Sequence, residues 1–470
     1  MQGFGFLLFA IQAPLLGPRP FGLMSVVMVF AGFVEQVLGE CASETLISLL
    51  DIEDAHFAIM NTLGAAVSLL FGAGVYALAG PLARWFGEPE LLPLGHTMAL
   101  LPLLSVVAAP ANAACKRAMQ FRPLALRSIV SLIAGGAVGV ALTLMHFGVW
   151  ALVWQVMTQK LVAAVVLWQA VPLRLRFGVS GRHLADLPRY AVPLIVSRSM
   201  SWASGSVPRF ILGSFLGVND LGIMSLALRL SDIAVQVFVV PRYAVARVAL
   251  REYARARAGL GDAIRQLVFR YALLNFPACV GAAVLMPTLF HTWLDARWYP
   301  GIVPAQLLLL MGMPAVTLYT VGALLMALNQ QRAEAWLESA QTIAALAVVL
   351  IAAPFGLLVS AAAIAARPFA LLPLPLLMAA RRCAVPAAQI LRPQLPLLLA
   401  SLGMGAVLAL LQRILTPWVH GLLLLPLLVG TGAAIYAALV ALLDPPFAAR
   451  TLERLKSWWR RASATLGLEP

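Results

Sequence analysis

Fourteen apolar runs, separated by short turns, follow one another along almost the whole chain. They centre near residues 8, 33, 69, 103, 134, 160, 202, 233, 280, 314, 343, 368, 405 and 431. Each is about 20 residues long, the length a helix needs to cross a hydrocarbon core of about 30 Å. The breaks are made of turn residues, as in "FGEPE", "GVND", "DARWYPG" and "TPWVHG". Composition agrees, with 62% hydrophobic and 11% charged residues, against roughly 45 to 50% apolar in soluble domains. The expected fold class is an all-α polytopic membrane protein with about 14 transmembrane helices and no soluble domain.

The net charge of +14 is explained by where the cations fall. With the N-terminus inside, the even-numbered turns and the C-terminal tail hold most of the 33 Lys and Arg residues. They include Lys116, Arg117, Arg122, Arg127, Arg174, Arg176, Arg182 and Arg189, the stretch from Arg242 to Arg270, Arg381, Arg382, Arg392, and the tail from Arg450 to Arg461. The outer turns carry only Arg19, Arg84, Arg297 and Arg413. This is the positive-inside pattern, so the basic balance predicts orientation and contact with anionic membrane lipids, and no nucleic acid partner. Both termini are expected in the cytoplasm. The basic, partly aromatic segments 246–266 and 450–468 suit helices lying on the inner leaflet.

The first run is short, about 15 residues before Gly17, a rise of roughly 22 Å. Either the true start lies upstream or helix 1 is a stub; with no basic leader or small-residue cleavage site, it is not expected to be a signal peptide.

One corner is written twice. "LLGPRPFGLMS" begins at Leu15 and "FLGVNDLGIMS" at Phe215. "ARWFGEPELLPL" is echoed by "ARWYPGIVPAQL", and "HFGVWAL" by "PFGLLVS". The echoes occur in order and at an even helix offset, which predicts two parallel six-helix lobes around a central cleft, suited to alternating access. The expected organisation is an N-terminal lobe over 1–172, a cytoplasmic linker over 173–185, a second lobe over 186–381, two appended helices within 382–443 and a basic cytoplasmic tail over 444–470.

The Leu-Gly-Pro-x-x-Phe-Gly-Leu corner, "ARWFGEPEL", "FGVWALVWQ", "RFILGSFLGVNDLGIMSLALRL" and "NQQRAEAWLES" resemble Wzx-type polysaccharide transporters of the multidrug/oligosaccharidyl-lipid/polysaccharide exporter superfamily. The likeness runs from about Ala13 to Arg381. It implies a bacterial inner-membrane flippase that carries an undecaprenyl-pyrophosphate-linked oligosaccharide from the cytoplasmic to the periplasmic leaflet, for exopolysaccharide, capsule or O-antigen assembly. Docking of other polysaccharide-assembly proteins is a further role open to the segments 246–266 and 450–468. The chain departs from the pattern at Pro208-Arg209, where such transporters usually show Asp-Lys or Asp-Arg, and at Ser214, where they often carry a basic residue.

A charge at the bilayer centre costs at least about 2.5 kcal/mol and is kept facing a cavity or a partner. Arg198 and Arg209 are eleven residues apart, hence within about 20° on one helix face and roughly 16 Å apart along it. Two guanidiniums on a small-residue face suit a pyrophosphate. A structural reading stands beside this, with Arg198 snorkelling to the interface and Arg209 satisfying a carbonyl freed by Pro208. Lys160 and Arg367 are a repeat-related pair of cations, suited to a positively charged cleft or, at Arg367-Pro368, to a helix break. Arg229 and Asp232 stand at i and i+3, a spacing that favours an intrahelical lock over a proton-coupling carboxylate. Glu35 is the candidate cavity carboxylate, and Gln36 and Gln236 occupy equivalent places in the two lobes as polar lining.

Cys41, Cys115, Cys279 and Cys383 are scattered without paired spacing, and the six histidines are equally dispersed. No metal, cofactor or disulfide framework is expected, and no catalytic residue. Two rival functions remain: a membrane-embedded glycosyltransferase or polymerase, for which Glu88 and Glu90 of "EPE" are the only acidic pair in an outer turn, and a multidrug extruder, whose apolar cavity the five intramembrane cations disfavour.

Overall fold

The computed structural model describes residues 2–33, 37, 39–48, 53–170, 177–178, 181–238, 240–256, 259–415 and 424–443. Among them there are α- and 3-10 helices and no strand. Eleven helices are long and apolar enough to cross a membrane, or twelve if one bent pair is a single span. Every one of the fourteen sequence runs falls on one of these spans. The two numbers differ because α1 (Gln2–Leu16) and α2 (Pro18–Phe33) form the bent pair, and because two runs fall in the single stretch Tyr190–Val237, which a non-helical residue, Gly217, divides into two helices. The chain is thus a multi-pass, all-helical membrane protein.

The residues gather into two compact units. The first comprises Met1–Ser225 with Ala345–Ser360, the second Leu226–Ala344 with Ala361–Pro470.

In the first unit, α1 and α2 meet at Gly17 with a bend of 120°. There follow α3 (Glu40–Ser48), α4 (Asp54–Phe86), and one span broken into α5 (Leu91–Met98), α6 (Leu101–Val107) and α7 (Ala109–Arg117). The breaks coincide with Pro102 and Pro110 in the first turn of α6 and α7, where the missing N–H costs nothing. Next come α8 (Phe121–Leu144) and α9 (Val149–Ala170), then α10 (Gly181–Phe238), which is non-helical at Gly217.

Both written corners turn on a glycine in positive-φ backbone, Gly17 at 74° and Gly217 at 78°. Gly217 has ψ 172°, a combination open essentially to glycine alone. The correspondence extends down the chain. Met119 and Asn329 each take left-handed φ, 53° and 55°, after a broken span, and Gly148 and Gly356 do so in the "HFG" and "PFG" turns. Left-handed residues therefore recur at matching places of the repeated sequence.

The second unit contains α11 (Val240–Ala256), α12 (Leu260–Trp293), α13 (Ile302–Leu310), α14 (Gly312–Ala327), parts of α15 (Gln331–Ala352) and α16 (Leu357–Leu371), α17 (Pro373–Cys383), α18 (Ala387–Leu391), α19 (Leu395–Leu415) and α20 (Leu424–Leu443). Its core packs α12, α14, α19 and α20 around Phe276, Val321, Leu324 and Leu408. Polar side chains satisfy the backbone where the α13–α14 span breaks. Ser231 Oγ donates to the Leu308 carbonyl at 2.8 Å, and Asn275 Nδ2 to the Gly312 carbonyl at 2.8 Å. In a bilayer these carbonyls have no water to turn to.

Candidate functional site

The first unit encloses a cavity of about 1290 Å³. Its walls come from α2, α3, α6, α7, α8, α9 and α10. They present Glu40, Glu44, Lys116, Arg127, Lys160 and Arg198 together with Ser105, Asn112, Ser128, Ser131 and Gln159. Four cations and two carboxylates inside a protein this apolar are the costliest groups it carries, so their arrangement decides what the cavity holds.

Glu40 and Glu44 lie one turn apart on α3 and therefore share a face. Arg198 of α10 reaches both. Its Nη2 is 2.6 Å from Glu44 Oε1 and its Nη1 is 3.1 Å from Glu40 Oε2. All three side chains are half-exposed, with Arg198 at 35%. The carboxylate pair is held in place from the other end of α3. Arg117 Nη1 donates to the Leu46 and Ile47 carbonyls at 3.0 and 3.1 Å, satisfying the terminal acceptors a helix leaves open.

The cations on the opposite wall are held by tight helix packing. A Cβ on Gly135 of α8 would lie 2.7 Å from the Gln155 carbonyl oxygen and 2.9 Å from Gln159 Cβ of α9, so only glycine permits this approach. At the end of the pair furthest from Arg127, Gln12 Nε2 donates to Gln155 Oε1 at 2.7 Å and to Thr143 Oγ1 at 3.4 Å. Trp168 Nε1 of α9 donates to the Val107 carbonyl at the α6–α7 break, at 2.8 Å. Lys160 and Arg127 thus stand on a fixed surface. Arg127 makes no ion pair with a carboxylate among the described residues. Ser105 Oγ and Asn112 Oδ1 are buried on the cavity wall without a hydrogen-bond partner.

Of the residues singled out in the sequence, the cavity brings together Lys160 and Arg198. Arg209 is exposed on α10, outside the cavity. Arg367 is half-buried on α16 in the second unit, its Nε buried without a partner. Arg229, Asp232 and Gln236 are exposed on the part of α10 that belongs to the second unit. Glu35 and Gln36 lie outside the described residues, as do the tail over 444–470 and most of the 173–180 stretch. The residues missed are Arg127, Lys116 and Glu44. Arg127 belongs to the second turn of α8 and not to a cytoplasmic turn. The spacing of Arg127, Ser128 and Ser131 along one helix, at i, i+1 and i+4, was the signal for it. Glu88 and Glu90, the outer acidic pair, are both taken by Arg19, at 2.6 and 2.9 Å.

A family of proteins described as "Polysaccharide biosynthesis protein" matches residues 11–303, well over half the chain. The chain belongs to the polysaccharide biosynthesis protein family. The whole cavity, from Met28 to Arg198, lies inside the matched region. Among relatives, the succinoglycan biosynthesis transport protein ExoT of Rhizobium meliloti (strain 1021) is 28% identical over 237 residues, 50% of this chain and 48% of that protein. The lipopolysaccharide biosynthesis protein WzxC of Escherichia coli (strain K12) is 20% identical over 344 residues, 69% of this chain and 66% of that protein. The chain therefore spans about half to two thirds of the relatives it matches. In fold it is similar to the lipid II flippase MurJ in an inward closed conformation, with TM-score 0.69 and 13% identity over 95% of this chain and 97% of that one. It is also similar to an inward-facing multidrug resistance MATE family transporter of the MOP superfamily, with TM-score 0.60 and 14% identity over 82% and 95%. The resemblance read from the corner and turn motifs and the family match point the same way.

Proposed function

We propose that the chain is a flippase that moves a lipid-linked oligosaccharide across a bacterial inner membrane, from the cytoplasmic to the periplasmic leaflet, by alternating access. The observation that carries this reading is the cavity of about 1290 Å³ with four cations in an all-helical membrane protein. Such a space accepts a polar, anionic headgroup while the acyl chain stays in lipid. The names of the relatives, a succinoglycan transport protein and a lipopolysaccharide biosynthesis protein, and the fold shared with a lipid II flippase support the same substrate class. An undecaprenyl-pyrophosphate-linked repeat unit of exopolysaccharide, capsule or O-antigen is the substrate proposed.

Lys160 and Arg198 act within the cavity, with Arg209 and Arg367 assigned to other positions along the path. Arg229 with Asp232 serves as a helix lock, Glu35 as the candidate coupling carboxylate, and Gln36 and Gln236 as polar lining at equivalent places in the two lobes. The termini are assigned to the cytoplasm. The protein is not an enzyme in this reading. The acidic pair in the cavity, Glu40 with Glu44, and the one in the outer turn, Glu88 with Glu90, are each engaged by one arginine, whereas glycosyl transfer and hydrolysis need a carboxylate open to the sugar.

The test is mass spectrometry of a lipid-linked oligosaccharide after incubation with proteoliposomes and an acceptor lipid. The reading predicts an unchanged glycan recovered from the opposite leaflet. A lengthened or transferred glycan with no change of leaflet overturns it.

A further inference from the structure

We infer that Arg127 and Lys160 form a diphosphate subsite on the α8–α9 wall of the cavity, and that Arg198 contributes only by neutralising Glu40 and Glu44. This rests on reading the cavity as the headgroup site.

Charge placement divides the cavity into two ends. At one end a single guanidinium serves two carboxylates, at 2.6 and 3.1 Å. That cluster carries a formal charge of minus one, and the terminal nitrogens that would grip a phosphate are already committed to carboxylate oxygens. A diphosphate that took Arg198 would release two carboxylates beside itself, and like charges a few ångströms apart repel strongly at low dielectric. The other end differs at Arg127. Arg127 has no carboxylate partner among the described residues, and Lys160 lines the same wall.

The spacing suits two phosphoryl groups. Gly135 sits against Gln155 and Gln159, so in an antiparallel pair Lys160 lies level with the Ser131–Leu132 step. Arg127 is then about 7 Å further along the wall at 1.5 Å per residue. One phosphoryl group meets the planar fork of an arginine, the next the point charge of a lysine. The chain also leaves Ser105 Oγ and Asn112 Oδ1 buried on this cavity with no partner, and buried polar atoms are ordinarily satisfied. The amide of Asn112 turns either way, so both residues are able to donate to phosphate oxygens. The chemistry selects a diphosphate over a monophosphate, because the second cation gains nothing from a single phosphoryl group.

The experiment measures binding of farnesyl diphosphate and farnesyl monophosphate to the purified full chain in detergent, with the thermal midpoint of each variant as a folding control. Native protein is expected to prefer the diphosphate. Arg127→Ala and Lys160→Ala each weaken diphosphate binding about tenfold or more, the scale of one charged hydrogen bond, and bring it towards the monophosphate value. Arg127→Lys keeps part of the preference. Arg198→Ala weakens binding through the exposed carboxylates, and Arg198→Ala combined with Glu40→Gln and Glu44→Gln restores it. The inference is overturned if folded Arg127→Ala and Lys160→Ala bind the diphosphate as native protein does, if the triple variant stays as weak as Arg198→Ala, or if native protein binds no diphosphate. Native protein that binds diphosphate through Arg127 and Lys160 but moves no lipid-linked oligosaccharide upholds the subsite and removes the flippase reading alone.

Discussion

The hydroxyl oxygens of Ser25 and Ser225 lie 3.1 Å apart, joined by a hydrogen bond across 200 residues of sequence. Each is the last residue of one copy of the repeated corner. The glycines three residues earlier show the same symmetry. A Cβ on Gly22 would fall 1.8 Å from the Val218 carbonyl oxygen, and one on Gly222 would fall 2.0 Å from the Pro18 carbonyl oxygen. Residue 22 meets 218 while 222 meets 18, and 25 meets 225. That is the reciprocal pattern of an isologous, twofold interface, made here within one chain and one compact unit. The corner is written twice because each copy supplies the surface the other packs on, and the Gly and Ser positions common to both are the contact positions.

Gly22→Ala and Gly222→Ala are accordingly expected to destabilise the protein by about 2 kcal/mol or more each, since the obstructing atom is backbone and a helix must move. Ser25→Ala and Ser225→Ala remove one interhelical hydrogen bond and cost about 0.6 kcal/mol. Thermal midpoints in detergent check both. Equal effects of the glycine and serine changes would contradict this picture.

Met119 is expected to be a poor choice of residue for its place. It holds a left-handed φ of 53° with its side chain 71% exposed, so it pays strain without packing in return. Met119→Gly should stabilise the fold by up to about 1 kcal/mol, read as a raised thermal midpoint. An unchanged or lowered midpoint would show that the side chain has a use the fold does not reveal.

Arg117 secures the end of the helix that carries Glu40 and Glu44. Its replacement by alanine strands the Leu46 and Ile47 carbonyls at a cost of about 1 to 3 kcal/mol. Cys41, one residue from Glu40 and buried at 3% exposure, is the reporter. Maleimide labelling of Cys41, with the other three cysteines replaced, should rise severalfold in Arg117→Ala. Labelling that stays at the native rate would mean α3 is held by other contacts.

The Arg19 pairing with Glu88 and Glu90 is solvent-facing, with Arg19 and Glu90 each 48% exposed, and such pairs contribute about 1 kcal/mol at most. Glu88→Gln with Glu90→Gln should change translocation less than about twofold. Were these carboxylates catalytic, the same double change would abolish activity by orders of magnitude.

The membrane fold was legible because apolar length needs no tertiary information. All fourteen runs lie on helices, and the corner at Leu15 and Phe215 announced its own repetition. The number of spans was less legible, since the helices before and after Gly217 run on with only that one non-helical residue between them. The cavity was harder still. Arg198 and Arg209 share a helix face by spacing, yet the structure ties Arg198 to Glu44, 154 residues away, and leaves Arg209 outside. Helical periodicity places residues on a face but does not say which face another helix will answer. Arg127 was hidden by the turn beside it: a cation two turns into a helix reads, from charge counting alone, as part of the cytoplasmic cluster that begins at Lys116.

The central claim is most directly tested by the rate at which a fluorescent, short-chain polyprenyl-diphosphate oligosaccharide becomes accessible to a membrane-impermeant quencher in proteoliposomes. The account predicts that native protein exposes the inner-leaflet lipid and that Arg127→Ala with Lys160→Ala, folded and equally reconstituted, does so at the rate of protein-free vesicles. Native protein that leaves the inner-leaflet fraction protected, or a double variant as fast as native, would contradict it.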